Sequence, residues 1–215
     1  MGDIAISTIV IIGLNVLISF KGFNDRAFFD RYSFKLGPAK AGEYIRFLSS
    51  GFLHVDTTHL LVNMITFYFF ASVVIQHLGE FYFVIIYLGS LILGNLFSFF
   101  FNRDNPYYIA VGASGAVMGV LYSAILLQPN MMLGLMFIIP IPAYVFGIGY
   151  LLYSLYGMRK RTGNIGHDAH FGGAMGGYFL TLLMAPILFQ VHTLMVILLA
   201  IPLVLLFVLH KRKAI

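Results

Sequence analysis

The sequence predicts an all-α protein, a polytopic bundle of membrane-spanning helices. Three observations predict it. Hydrophobic residues fill 60% of the 215 positions and charged residues only 10%, whereas soluble domains carry about 25% charged residues. The mean hydropathy is +0.92. Seven apolar stretches are each close to the roughly 20 residues that cross the hydrocarbon core of a bilayer. Such a composition cannot build a surface that faces water. Cysteine is absent, which excludes a disulfide framework, a thiolate nucleophile and a Cys-rich metal site. The net charge of +5 reads as topology, because basic loops report orientation in membrane proteins. No nucleic-acid partner and no cofactor is expected.

The first stretch, 4–20, has no basic n-region and no A-x-A cleavage site, so it reads as a retained span. The long connection 21–56 follows. It interleaves Lys21, Arg26, Arg31, Lys35, Lys40 and Arg46 with Phe23, Phe28, Phe29, Phe34, Phe47 and Phe52. That pattern suits a segment lying among lipid headgroups. Spans two and three, 57–77 and 81–101, are divided by "HLGE". Span four, 113–128, follows "NRDNP", and span five, 131–157, follows "QPN". Within span five, Pro140 and Pro142 with Gly147 and Gly149 weaken the helix, and an ordinary proline kink accounts for them as well as a functional gate does. Span six, 168–189, follows "MRKRTGNIGHD", and span seven, 193–210, follows "FQVH". No linker or repeat divides the chain, and a single domain is the economical reading.

With seven spans, the even-numbered ones run in the same direction, so their N-terminal ends share one side of the membrane. Those ends hold most of the polar residues found in the spans. Span two opens with His54, His59 and Asn63, span four with Ser114, and span six with His167, Asp168 and His170. Polar and ionisable groups inside spans are costly, and they are functional candidates by default. Glycines then predict which spans touch. Gly115 and Gly119 lie four apart in span four, and Gly172, Gly173, Gly176 and Gly177 form two such pairs in span six. Small residues at this spacing let helix backbones approach closely in lipid. Close packing of spans four and six would bring Ser114 within reach of His170.

A serine hydroxyl becomes a nucleophile when a base takes its proton, and histidine is the usual base. The start of a helix offers unpaired N–H groups and the positive end of its dipole, which suit an oxyanion. His59 and Asn63, four apart, share one helical face and can both donate to the same oxygen. Their bland reading is hydrogen bonding between helices. His167 is the rival base, and only the glycines that follow His170 at regular spacing favour His170 over it. Asp168 lies on another face from His170 and reads as an N-cap. His54, Asp56 and His59 are poorly spaced for a metal, and none is expected.

These residues resemble the rhomboid family of intramembrane serine proteases. The matching pieces are "HLLVN" with His59 and Asn63, "GASG" with Gly112, Ser114 and Gly115, and "AHFGGAMGG" with His170, Gly173 and Gly177. "GEYIRF" with Arg46 is similar to the family's first-loop motif, and His54 stands five residues before His59 as in the family. The resemblance implies a six-helix catalytic core over 1–189, with 190–215 as an extra C-terminal helix and basic tail. It implies Ser114 as nucleophile and His170 as base of a dyad. His59, Asn63 and the N–H of Ser114 would form the oxyanion hole. The reaction would hydrolyse peptide bonds in or near the transmembrane segments of other membrane proteins. Two positions depart from the family's pattern. Met118 stands where an aromatic ring often stacks on the histidine, and Ile45 precedes Arg46 where tryptophan is common.

All Lys and Arg residues fall in 21–46, at Arg103, in 159–161 and in 211–213. Parity puts them on the side where Ser114 opens. The positive-inside rule makes that side cytoplasmic, whereas the resemblance implies the extracytoplasmic side of a bacterial or archaeal cell membrane. The expectation adopted is the latter. Two other readings remain from the sequence: an inactive rhomboid-like protein that binds client helices, and a small-solute transporter.

Overall fold

The computed structural model describes residues 4–135, 139–160 and 166–212. Helix α1 (Ile6–Asn24) is followed by α2 (Arg26–Tyr32), strand β1 (Phe34–Lys35), α3 (Leu36–Lys40), α4 (Arg46–Ser49) and a 3-10 turn at Ser50–Phe52. Then come α5 (Thr57–Phe101), β2 (Ile109–Ala110), α6 (Ser114–Leu127), β3 (Met132–Leu135) and β4 (Ile139–Pro142). The chain ends with α7 (Ala143–Lys160), α8 (His167–Met184), α9 (Leu188–Val191) and α10 (Thr193–Lys211). The all-α membrane bundle expected from the sequence is the fold observed. Helices α1, α5 and α10 are each long and apolar enough to cross a membrane, and α6 is a shorter apolar helix. The protein is an integral membrane protein.

Helix α5 comprises two spans. Gly79, at φ 83° and ψ 166°, breaks it into the arms 57–78 and 80–101. Only glycine adopts such a backbone without strain. Glu80, beside that turn, accepts a hydrogen bond from the Ser7 N–H at 2.8 Å, which ties the start of α1 to it. Helix α1 turns Asn15 and Ser19 inward and leaves Ile6, Ile9 and Leu17 exposed toward lipid. Asn15 donates to the Tyr87 hydroxyl of α5 at 3.1 Å. This is the membrane pattern: polar groups bond between helices and large apolar groups face the bilayer.

At the centre stands α6, buried at every residue from Gly115 to Leu127. Its 14 residues reach about 21 Å at 1.5 Å per residue, short of the ~30 Å hydrocarbon core. Irregular backbone at 111–113 leads into Ser114. Non-helical chain at membrane depth is tolerated where protein covers it, and here the Gly112 N–H bonds the Ser50 carbonyl at 3.0 Å.

One sequence expectation is corrected. Span five does not begin at 131 and carries no proline kink. Met132–Leu135 and Ile139–Pro142 instead pair as antiparallel strands, with Leu133 opposite Ile141, and the helix starts at Ala143. Pro140 and Pro142 lie in β4. Both lack an N–H donor and exclude helix upstream of them, yet an edge strand of a two-stranded ribbon tolerates them. The connection 21–56 is folded locally. It holds short helices, and β1 pairs with β2 through Phe34 opposite Ala110. Arg46 is its anchor, 5% exposed. The guanidinium donates to the carbonyls of Ser33 at 2.7 Å and Asp30 at 3.0 Å, and it pairs with Glu43 at 2.7 Å.

Candidate active site

The segment before Ser114 is clamped from two sides. Ser19 Oγ donates to the Phe52 carbonyl at 3.0 Å and lies 2.8 Å from His54 Nδ1. Its one proton being used, Ser19 accepts from Nδ1–H. His54 Nε2 is then bare and accepts the Ala113 N–H at 3.3 Å. His54 thus works as a neutral bridge from α1 to the residue preceding Ser114. Burial, with His59 nearby, holds its pKa down to about 3, which keeps that bridge uncharged.

His59 belongs to the first turn of α5. Asp56 caps this helix by accepting the His59 N–H at 2.7 Å, and that fixes where the imidazole emerges. The ring packs edge-on against His54 at 4.9 Å between centroids. It also lies against Gly112, where a Cβ would sit 2.9 Å from Nε2 and φ is +124°. Glycine at 112 is therefore required twice, by conformation and by the ring. Asn63 is buried and donates one amide hydrogen to the His59 carbonyl at 2.9 Å, leaving the second available.

Helices α6 and α8 meet through glycine, as the sequence spacing predicts. A Cβ on Gly115 would lie 3.3 Å from the Ala169 carbonyl, and a Cβ on Gly173 would collide with the Gly115 carbonyl. Gly177 meets Gly119 in the same way. Ser114 directly precedes Gly115 on α6, and His170 lies one turn before Gly173 on α8. Ser114, half-buried, starts its helix, and His170 is buried at 9% exposure. Met118, one turn after the serine, is buried as well.

The two neighbours of His170 in sequence turn elsewhere. The His167 ring lies edge-on to Tyr153 at 5.2 Å and against Gly157. Asp168 is not the N-cap of α8; that position is Gly166. One residue further in, the Asp168 carboxylate accepts from the Tyr108 hydroxyl at 3.1 Å, from the Asn102 amide and from the Ala169 N–H at 3.0 Å. It fastens the 102–108 turn to α8. Burial and the neighbouring Asp168 raise the Tyr108 pKa, so the phenol stays a donor. Asp56 and His54, weighed from sequence as metal-binding candidates, are used as cap and bridge.

Sequence reasoning missed four contributors. Tyr150 of α7 places its hydroxyl 2.6 Å from His170 Nδ1, and nothing in its local sequence marks it. Ser90 and Gly94 on the second arm of α5 complete the close packing, with Gly94 against the Ala169 carbonyl and Ser90 against Gly119 and Gly176. Their four-residue spacing was the available signal. Asn95 was missed too; it donates to the Phe47 carbonyl at 2.8 Å and to Ser50 Oγ at 3.0 Å, joining α5 to the first loop.

The geometry agrees with what comparison finds. The family model described as Rhomboid domain matches residues 41–187. The chain is 29% identical to RHOMBOID-like protein 12, mitochondrial, of Arabidopsis thaliana, over 77% of this chain and 54% of that protein. It is 33% identical to Rhomboid protein 1, mitochondrial, of Saccharomyces cerevisiae, over 62% and 40%. It is 31% identical to the candidate rhomboid protease YdcA of Bacillus subtilis, over 70% and 71%. The chain spans about half the length of the two mitochondrial relatives.

Proposed function

The chain belongs to the rhomboid family, and on that footing we propose that it is an intramembrane serine endopeptidase acting through Ser114 and His170. The observation that carries the reading is the glycine contact between α6 and α8, which has Ser114 just before Gly115 on one helix and His170 one turn before Gly173 on the other. His170 takes the proton of Ser114 Oγ as the oxygen attacks a peptide carbonyl. The oxyanion so formed is held by the N–H of Ser114 at the start of α6, with His59 and the free amide hydrogen of Asn63 as further donors. The imidazolium returns its proton to the leaving amine. Water, deprotonated by the same imidazole, then hydrolyses the acyl-enzyme. Buried surroundings strengthen each of these electrostatic contacts.

The substrates are transmembrane segments of other membrane proteins, reached from within the bilayer. We place the site on the membrane face that carries Lys21, Arg46, Arg159, Lys160 and Lys211, because alternating spans put those helix ends on its side. The bacterial or archaeal cell membrane expected from the sequence gains no support from relatives of plant and yeast mitochondria. The proposed location is therefore a multi-pass membrane protein, without a named compartment.

The test is cleavage of a fluorescent transmembrane test substrate by purified protein in detergent. Wild type cuts, His170→Ala does not, and His167→Ala keeps most of the activity. Loss in His167→Ala with retention in His170→Ala would exchange the base. A rhomboid-like protein that only holds client helices would bind the substrate without cutting it, and that result would reject the protease reading.

A further inference from the structure

We propose that Tyr150 is the positioning residue of His170, occupying the place that a carboxylate takes in a three-residue triad. This inference rests on the Ser114–His170 reading above. The Tyr150 hydroxyl lies 2.6 Å from His170 Nδ1, and the two rings are 5.9 Å apart at 36°. Among the described residues no other hydrogen-bond partner of the His170 ring is found. The contact joins α7 to α8, so it is not a by-product of one helix's own geometry. The tyrosine ring is itself held. Phe146, one turn earlier, stacks on it at 5.8 Å and 22°, and Tyr153 lies 6.3 Å away.

No carboxylate competes for this place. Asp168, two residues from His170, is committed to Asn102, Tyr108 and the Ala169 N–H. The remaining ionisable groups near His170 are His59 from α5 and His167 on its own helix. Helix α6 carries Met118 one turn after Ser114, a thioether without a donor proton and only a weak acceptor.

A base that works from Nε2 must carry its resting proton on Nδ1, and the partner at Nδ1 selects the tautomer. The phenol oxygen accepts from Nδ1–H and keeps its own proton. When the imidazole gains the serine proton, Nδ1–H becomes a stronger donor and the bond tightens. The interaction is then stronger in the transition state than in the resting enzyme, so its loss falls on kcat and not on KM. A neutral oxygen supports the imidazolium less than a carboxylate does. The expected contribution is about 10-fold, within the usual range for an orienting group below the roughly 10⁴-fold loss when an aspartate becomes an amide.

Two measurements test this on the full-length protein in detergent. In the first, Tyr150→Phe keeps the ring and its stack on Phe146 but removes the oxygen. It should lower kcat about 10-fold, slow fluorophosphonate labelling by a similar factor, and leave KM and the unfolding midpoint unchanged. Full kcat, or a change confined to KM, would overturn the inference. The second measurement does not need activity: nitrogen-15 NMR of histidine-labelled protein, with His170 assigned through His170→Asn. Wild type should show a protonated Nδ1 and a bare Nε2, and Tyr150→Phe should mix the tautomers. A wild-type proton on Nε2 would overturn the inference. Wild type that fails to cut, yet shows the Nδ1–H tautomer that Tyr150→Phe loses, would reject the protease reading and uphold the Tyr150 contact.

Discussion

Gly173 rests directly on the backbone carbonyl of Gly115, with no room for a Cβ between them. This contact sets the separation of α6 and α8, and with it the separation of Ser114 from His170. Gly173→Ala has to push the helices apart. Overpacking of this kind costs about 1–3 kcal/mol, and activity should fall further than stability because the base moves with α8. Thermal unfolding and cleavage assays on the same preparation check both effects. Gly13→Ala is the control, since no atom lies within 4 Å of a Cβ there. It should leave activity unchanged.

Arg46 should behave as a structural anchor. Its buried guanidinium satisfies the carbonyls of Asp30 and Ser33 as well as Glu43. Arg46→Met removes the guanidinium donor from both carbonyls, an expected loss of about 2–3 kcal/mol. Arg46→Lys should not rescue it, because an ammonium cannot span three acceptors in a planar fork. Limited proteolysis reads the outcome: cleavage within 21–56 should rise in both variants and stay slow in wild type.

His54 predicts an acid limit to stability. Its folded pKa is held at about 3, below the 6.5 of an ordinary histidine. Between those values the unfolded chain binds more protons than the folded one, so stability rises with pH across that window. Acidification from pH 6.5 toward 3 should therefore progressively weaken the protein and free the Ala113 N–H. His54→Gln should flatten that slope in unfolding curves recorded across the window. An unchanged slope would show that other groups carry the acid sensitivity.

The oxyanion donors are predicted to be unequal. His59→Ala should reduce kcat by roughly 10²–10³-fold, the usual cost of one such donor, with KM little altered. Asn63→Ala should cost less, because part of its amide already serves the His59 carbonyl. Steady-state kinetics on one transmembrane substrate ranks the two.

Much of this site could be read in the chain because its determinants are short-range or periodic. Glycines four apart announce a close helix contact, and Gly115, Gly173 and Gly177 make it. Seven-span parity brings the basic ends and the polar helix starts to one face. The rest depends on tertiary placement. Tyr150 reaches His170 only because α7 packs on α8, and a tyrosine in an apolar helix carries no mark of its partner. Asp168 looked like a cap because acidic residues favour helix starts, yet Gly166 takes that position and the carboxylate is drawn to Tyr108 and Asn102. The strand pair 132–135 and 139–142 was hidden for a different reason: its apolar residues satisfy a span by hydropathy, and only the two prolines argued against helix.

The central claim is that Ser114 is a nucleophile at the start of α6, activated by the histidine across the glycine contact. Fluorophosphonate labelling of the purified protein, followed by mass spectrometry of the modified peptide, tests it most directly. The adduct should map to Ser114 in wild type and be absent from both Ser114→Ala and His170→Ala. An adduct on another serine, or undiminished labelling in Ser114→Ala, would contradict the claim.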